Sequence, residues 1–182
     1  MLPAYELPAR TRAVCKYLKW ATVLLGVIYL VFFFYEDKAA EQIDVLWEGL
    51  EAEHRDVIVF SEAKRALLYG LSTFYWFSVF LVIYAVHRVF SGFQSGAPFA
   101  MPTVKPVRQL GIMIITVSVI GLTKDTVMHL ALTGDSPPGH RLFVVGASTH
   151  HAWGLLMGGL FLIIGHIFVQ SVRISDENRQ IV

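Results

Sequence analysis

Five of the seven histidines, His129, His140, His150, His151 and His166, lie in the last third of this 182-residue chain. Asp125 and His129 are spaced i, i+4, which puts both on one face of a helix. A carboxylate at that spacing can orient an imidazole for metal binding or proton handling. His150 or His151, at the start of a following helix, would reach the same depth. Asp125, His129, His150 and His151 could then converge on one transition metal. His166 lies about 22 Å further along that helix at the usual rise, and His87 ends an earlier helix at a compatible level. Facing imidazoles can hold a haem iron axially, so His129 with His150 or His151 would form one tier and His87 with His166 another. Interfacial histidines without a ligand are common. The expectation is therefore no bound cofactor, with haem or another metal as the alternatives.

Lys124 and Asp125 are the second signal. Ionisable groups inside a bilayer cost about 2.5–3.5 kcal/mol each on insertion scales and are functional candidates by default. Either the third membrane helix ends near Thr123 and the pair sits in the headgroups, or it runs on to about Thr133 and the pair lies in the outer third of the membrane.

Other chemistry lacks its residues. Cys15 is the single cysteine, which excludes a disulfide framework and any CxxC site. Neither a Walker-type loop nor GxGxxG is present, so nucleotide binding has no support. There is no HExxH and no recognisable serine elbow, so enzymatic hydrolysis is not expected.

The elements that must position these residues are membrane helices. Hydrophobic residues make up 55% of the chain and charged ones 16%, with a mean hydropathy of +0.56. Soluble domains carry about 25% charged residues. Fifteen Lys and Arg balance fourteen Asp and Glu, which excludes nucleic-acid binding through bulk charge and excludes a disordered chain. Charge-free runs cover residues 20–35, 66–86, 109–123 and 142–172. A span needs about 20 apolar residues. Together these predict an all-α integral membrane bundle of four transmembrane helices at about 15–35, 66–87, 109–133 and 149–172. The first is read as an anchor, since its apolar stretch exceeds that of a cleaved signal, although Ala39-Ala40 is a tolerable cleavage site.

Arg10, Arg12, Lys16, Lys19, Arg88, Lys105, Arg108, Arg173 and Arg179 fall on one side, and the segment 36–65 on the other carries nine acids. Both termini are therefore expected in the cytoplasm. Within 36–65, Ile43, Leu46, Trp47 and Leu50 follow i, i+3, i+4, i+7, an amphipathic helix outside the membrane. It either lies at the membrane surface with Trp47 at headgroup depth or packs across the outer mouth of the bundle. Val57, Ile58, Val59 and Phe60 suggest a short extended piece, and Ser61 suits the N-cap of the second span. Pro98, Pro102 and Pro106 predict an inner Pro/Gly loop at 88–108. Gly154 and Gly158 form a GxxxG, read as packing within the bundle rather than a dimer seam. The aromatic clusters at 32–35 and 74–77 read as interface belt and bundle packing.

Gly96-x-Pro98-Phe99, then Val107-Arg108-x-Leu110-Gly111 opening a helix, and the ending Ser175-Asp176-Glu177-Asn178-Arg179-Gln180-Ile181-Val182 resemble a bacterial four-helix inner-membrane family known only as a domain of unknown function. The resemblance implies a four-helix integral membrane protein and no particular activity. The histidine-rich last third lies outside that pattern.

The expectation is a non-enzymatic membrane protein, an accessory subunit or sensor-like bundle of a bacterial inner membrane. Its partners would be the lipid bilayer and a homo-oligomer or larger membrane complex. One alternative is a haem- or metal-binding redox protein using the late histidines. Another is a small oligomeric transporter in which Lys124 and Asp125 face a pore.

Overall fold

The computed structural model describes residues 7–180 apart from 96, 98, 99 and 147, and leaves the side chains of 178–180 undescribed. Six helices follow in order: α1 (Ala9–Tyr35), α2 (Lys38–Glu48), α3 (Ala52–Val57), α4 (Glu62–Gln94), α5 (Met101–Thr133) and α6 (Thr149–Gln180). Among the described residues no strand occurs. Helices α1, α4, α5 and α6 are each long and apolar enough to cross a membrane. The protein is a multi-pass, all-helical membrane protein.

The spans pack mainly as sequence neighbours, α1 on α4, α4 on α5 and α5 on α6. α1 and α6 are thus the flanks of a row. The α5–α6 seam is built on small residues. A Cβ on Gly111 would stand 2.8 Å from the Gly158 carbonyl oxygen, and one on Gly158 would stand 2.9 Å from the Ile115 nitrogen. Gly154 lies against Ser118, and Gly165 against the Arg108 backbone. The GxxxG therefore brings two backbones together inside one chain. The resemblance motif at 107–111 serves this seam: Val107, Leu110 and Gly111 are buried in α5. Gly96, Pro98, Phe99, Ile181 and Val182 lie outside the described residues.

One end of the row is capped. Asp37, in the left-handed region at φ 42°, turns the chain sharply after α1, a conformation Asp tolerates better than most residues. Its carboxylate accepts from the Ala40 amide at 3.4 Å and from the Tyr69 hydroxyl at 3.0 Å. α2 is thereby folded back onto α4. Ile43 and Leu50 of the amphipathic face join Ile58, Leu68, Met128 and Leu132 in one buried cluster, with Leu46 and Trp47 against it. Trp47 stacks on Phe60 at 5.1 Å between ring centroids. Of the two expectations for this segment, packing across the mouth is the one observed. Each such side chain taken from water contributes about 1.5–3 kcal/mol, which favours the docked arrangement. Ser61 caps α4, its hydroxyl accepting from the Lys64 amide at 3.3 Å.

The connection between α4 and α5 is shorter than the predicted 88–108. α4 continues to Gln94 and α5 starts at Met101 rather than at 109. The prolines do not prevent this. Pro102 falls in the first turn, where an amide hydrogen would have no helical acceptor. Pro106 lies inside the helix and is buried. The Thr103 hydroxyl ties the corner by donating to the carbonyls of Gly92 at 3.2 Å and Ala97 at 2.8 Å.

Candidate functional site

α5 runs unbroken through Lys124 and Asp125 to Thr133, so the alternative that it ends at Thr123 is not what forms. Nine residues of helix separate Lys124 from that end, about 14 Å of rise. The Lys124 ammonium lies 3.3 Å from Asp125 Oδ1 and 4.7 Å from the centre of the Tyr75 ring on α4. Its side chain is only 11% exposed, against 44% for Asp125. A counter-ion and an aromatic face are what a desolvated ammonium requires. The Asp125 carboxylate also lies against Gly146, where a Cβ would stand 2.5 Å from Oδ2. The Thr126 hydroxyl donates to the Val144 carbonyl at 2.6 Å. The segment between α5 and α6 is thus pinned down over the pair.

His151, at the start of α6, is buried with its ring on Gly121 of α5. Its ring centroid lies 4.0 Å from that of His150. His150 is exposed and bonded to the Ser148 hydroxyl. Tyr75 of α4 with Lys124 and Asp125 of α5 thus form a polar cluster, and His151 with His150 packs on α5 one turn away at Gly121.

The other predicted residues go elsewhere. His129 shares a face with Asp125, but its Nδ1–H donates to the Asp125 backbone carbonyl at 2.7 Å. The carboxylate, drawn instead to Lys124, is not its orienter. His87 faces α1, where its Nδ1 lies 3.3 Å from Thr22 Oγ1 and 3.4 Å from the Lys19 carbonyl. His166 is exposed on α6 and accepts from the Gln170 amide at 3.0 Å. His87 is thus turned toward α1, and His166 lies on α6. Among the described residues no group of three or more His, Cys, Asp or Glu gathers closely enough to hold a metal ion. The set Asp125, His129, His150 and His151 is therefore divided rather than convergent.

Two partnerships were hidden from sequence reasoning. In sequence Tyr75 reads as bundle packing, since an aromatic inside a span carries no mark of a cation neighbour. His54 of α3 and His140 meet edge to face at 5.7 Å, each with a buried Nδ1 lacking a hydrogen-bond partner. They join α3 to the α5–α6 connection across a separation that no helical spacing encodes.

A family model described as "Protein of unknown function (DUF2975)" matches residues 36–182. The chain belongs to this family. The match begins where α1 ends and takes in the cap, the α5–α6 seam and the whole polar cluster. No curated protein and no solved structure matches the chain. Family membership agrees with the resemblance seen at 96–111 and 175–182, and it attaches no activity to the cluster.

Proposed function

We propose that the protein is a non-enzymatic accessory or sensor-like component of a bacterial inner membrane, with both termini in the cytoplasm and the cap of α2 and α3 outside. The observation that carries this reading is the enclosure of the Lys124 ammonium. The ammonium contacts its own counter-ion and the Tyr75 ring, and the following segment lies over the carboxylate. A carrier would present the ammonium to a water-filled pathway, whereas the Lys124 side chain is only 11% exposed. Here the pair locks the membrane end of α5 to α4 and to the chain above it. Movement of the cap, which rests on Leu68, Met128 and Leu132, would be transmitted directly to these helices. The row leaves α1 and α6 with a single principal span neighbour each, which suits lateral association with partner helices.

The test is extraction of the full chain from its own membranes in a mild detergent. The expected result is co-elution, in fixed ratio, with a larger membrane protein. Recovery only as a free protein, together with ion or solute flux in vesicles that is lost in Asp125→Asn, would replace this reading with the transporter. A haem spectrum in that sample would replace it with the redox protein. For topology, a cysteine at Glu48 should react with an impermeant maleimide added outside intact cells, and one at Arg10 should not.

A further inference from the structure

Five buried side-chain polar atoms have no hydrogen-bond partner among the described residues, and three of them belong to one junction. They are Nδ1 of His54, Nδ1 of His140 and Oγ of Ser136. His54 lies on α3, whereas Ser136 and His140 belong to the turn that follows α5. A buried polar atom left unpaired costs about 1–3 kcal/mol, so three at one junction call for a cause. Both backbones are held by contacts of their own. The His54 carbonyl accepts from the Ile58 amide at 3.2 Å, and Ile58 is part of the buried cap cluster. In the turn, the Ser136 amide donates to the Thr133 carbonyl at 3.0 Å and the His140 amide to the Pro137 carbonyl at 3.1 Å. Arg141 Nε also donates to the Ser136 carbonyl at 3.1 Å. The fold itself therefore brings the imidazoles together, with 5.7 Å between centroids and 72° between planes. An edge-to-face contact satisfies two rings as aromatics, but it leaves both nitrogens unpaired.

A metal ion of borderline softness takes such a nitrogen lone pair from histidine. At a metal–nitrogen distance of about 2.1 Å, the ion lies about 3.2 Å from each ring centre. Two imidazoles on a tetrahedral ion then have centres about 5.2 Å apart. The observed 5.7 Å needs that angle to open to about 125°. The donors also exclude other ions. The single cysteine, Cys15, lies on α1, so the junction offers no thiolate to a soft ion. The three unpaired atoms include no carboxylate, which calcium and magnesium sites are built on. Acids outnumber bases nine to four in residues 36–65, and that field draws cations toward the cap. We propose that His54 and His140 form a binding site for a divalent transition-metal ion of the zinc class, with Ser136 Oγ and water as its remaining ligands. Among the described residues no third His, Cys, Asp or Glu joins the two imidazoles, so the site is exchangeable rather than a closed four-ligand centre. The bound ion bridges α3 to the chain following α5 and ties the cap to the spans. The site requires no partner protein, so it stands or falls separately from the accessory reading.

The full chain, carrying no histidine tag, is stripped with a chelator in mild detergent and titrated with zinc(II) and, separately, with cobalt(II). At ten times its dissociation constant, zinc should slow hydrogen exchange in α3 and in residues 134–141 by about tenfold. His54→Ala or His140→Ala should each abolish that protection, whereas His150→Ala with His151→Ala should leave it unchanged. His54→Cys exchanges a ligand nitrogen for sulfur and should bind cobalt with a thiolate-to-metal charge-transfer band that the wild-type protein lacks. The band reports coordination at position 54 directly, so it decides the matter even where the alanine variants fail to fold. Wild-type protein that takes up no zinc would overturn the proposal. So would zinc protection confined to the start of α6, or a folded His54→Cys that shows no such band with cobalt.

Discussion

The imidazole of His151 lies directly on Gly121, so that a Cβ at position 121 would stand 2.6 Å from its Nδ1. The start of α6 and the middle of α5 are therefore fitted to each other as ring and gap. This contact, one turn from Lys124 and Asp125, sets how deeply the polar cluster is enclosed.

Gly121→Ala should destabilise the folded protein by about 1–3 kcal/mol, the usual cost of forcing extra volume into a packed site. His151→Ala should open the gap, and the double variant should be more stable than the sum of the two single effects predicts. Reversible unfolding in mixed detergent micelles, followed by tryptophan fluorescence, measures all four proteins. Strict additivity would mean that the ring does not occupy this position.

Lys124 and Asp125 should behave as a unit. Asp125→Asn leaves an ammonium that is 11% exposed beside only the Tyr75 ring. Breaking a fully buried ion pair costs about 3–5 kcal/mol, and the partial exposure of Asp125 reduces this to about 2 kcal/mol here. Lys124→Gln with Asp125→Asn removes both charges and should be less damaging than Asp125→Asn alone. The same unfolding assay decides it. A double variant worse than the single one would show that the pair stabilises by attraction rather than by mutual neutralisation.

Much of this was legible in the sequence, for identifiable reasons. The four spans follow from runs without charge, because the bilayer rejects charge regardless of packing. Ser61 as a cap and Ile43, Leu46, Trp47 and Leu50 as one face follow from local periodicity, and both are seen. What was not legible depends on which helices are neighbours. His87, on α4, is turned toward α1, whereas His166 lies on α6 at the far side of α5. His129 had a carboxylate in reach at i, i+4, yet Lys124 adjoins that carboxylate and the His129 ring bonds the backbone instead. Pro102 and Pro106 read as loop because a proline's effect depends on its distance from the helix start, and the sequence does not mark that start.

Docking of the cap should depend on few side chains. Leu50 is 4% exposed in the cluster that joins α2 to α4 and α5. Leu50→Ala should cost about 2–4 kcal/mol through lost burial and the cavity left behind. The loss should be local, because α2 touches the spans α4 and α1 without lying between them. Hydrogen exchange should accelerate in α2 while α5 and α6 stay protected. Uniform acceleration throughout would mean that the cap and the spans unfold together.

The capped end should also loosen in acid through one exposed ion pair. Lys64, in the first turn of α4, donates to Asp135 Oδ1 at 2.5 Å and to the Leu132 carbonyl at 3.0 Å. That hydrogen bond holds the Asp135 carboxyl below the usual carboxylate range. A carboxyl with a lowered folded-state pKa binds protons more readily when the contact is broken, so the contact is favoured where the carboxylate is ionised in both states. Its contribution is therefore complete above the ordinary carboxylate pKa of about 4 and is lost as the pH falls through the lower folded value. The group is exposed, so the effect should appear as a small slope, and raised salt should flatten it. Asp135→Asn should abolish that part of the acid slope and leave stability near neutral pH only slightly reduced. Exchange rates in the first turn of α4, measured from pH 6 downward and corrected for intrinsic pH dependence, provide the check. A wild-type slope equal to that of Asp135→Asn would show that Lys64 is held by the Leu132 carbonyl alone.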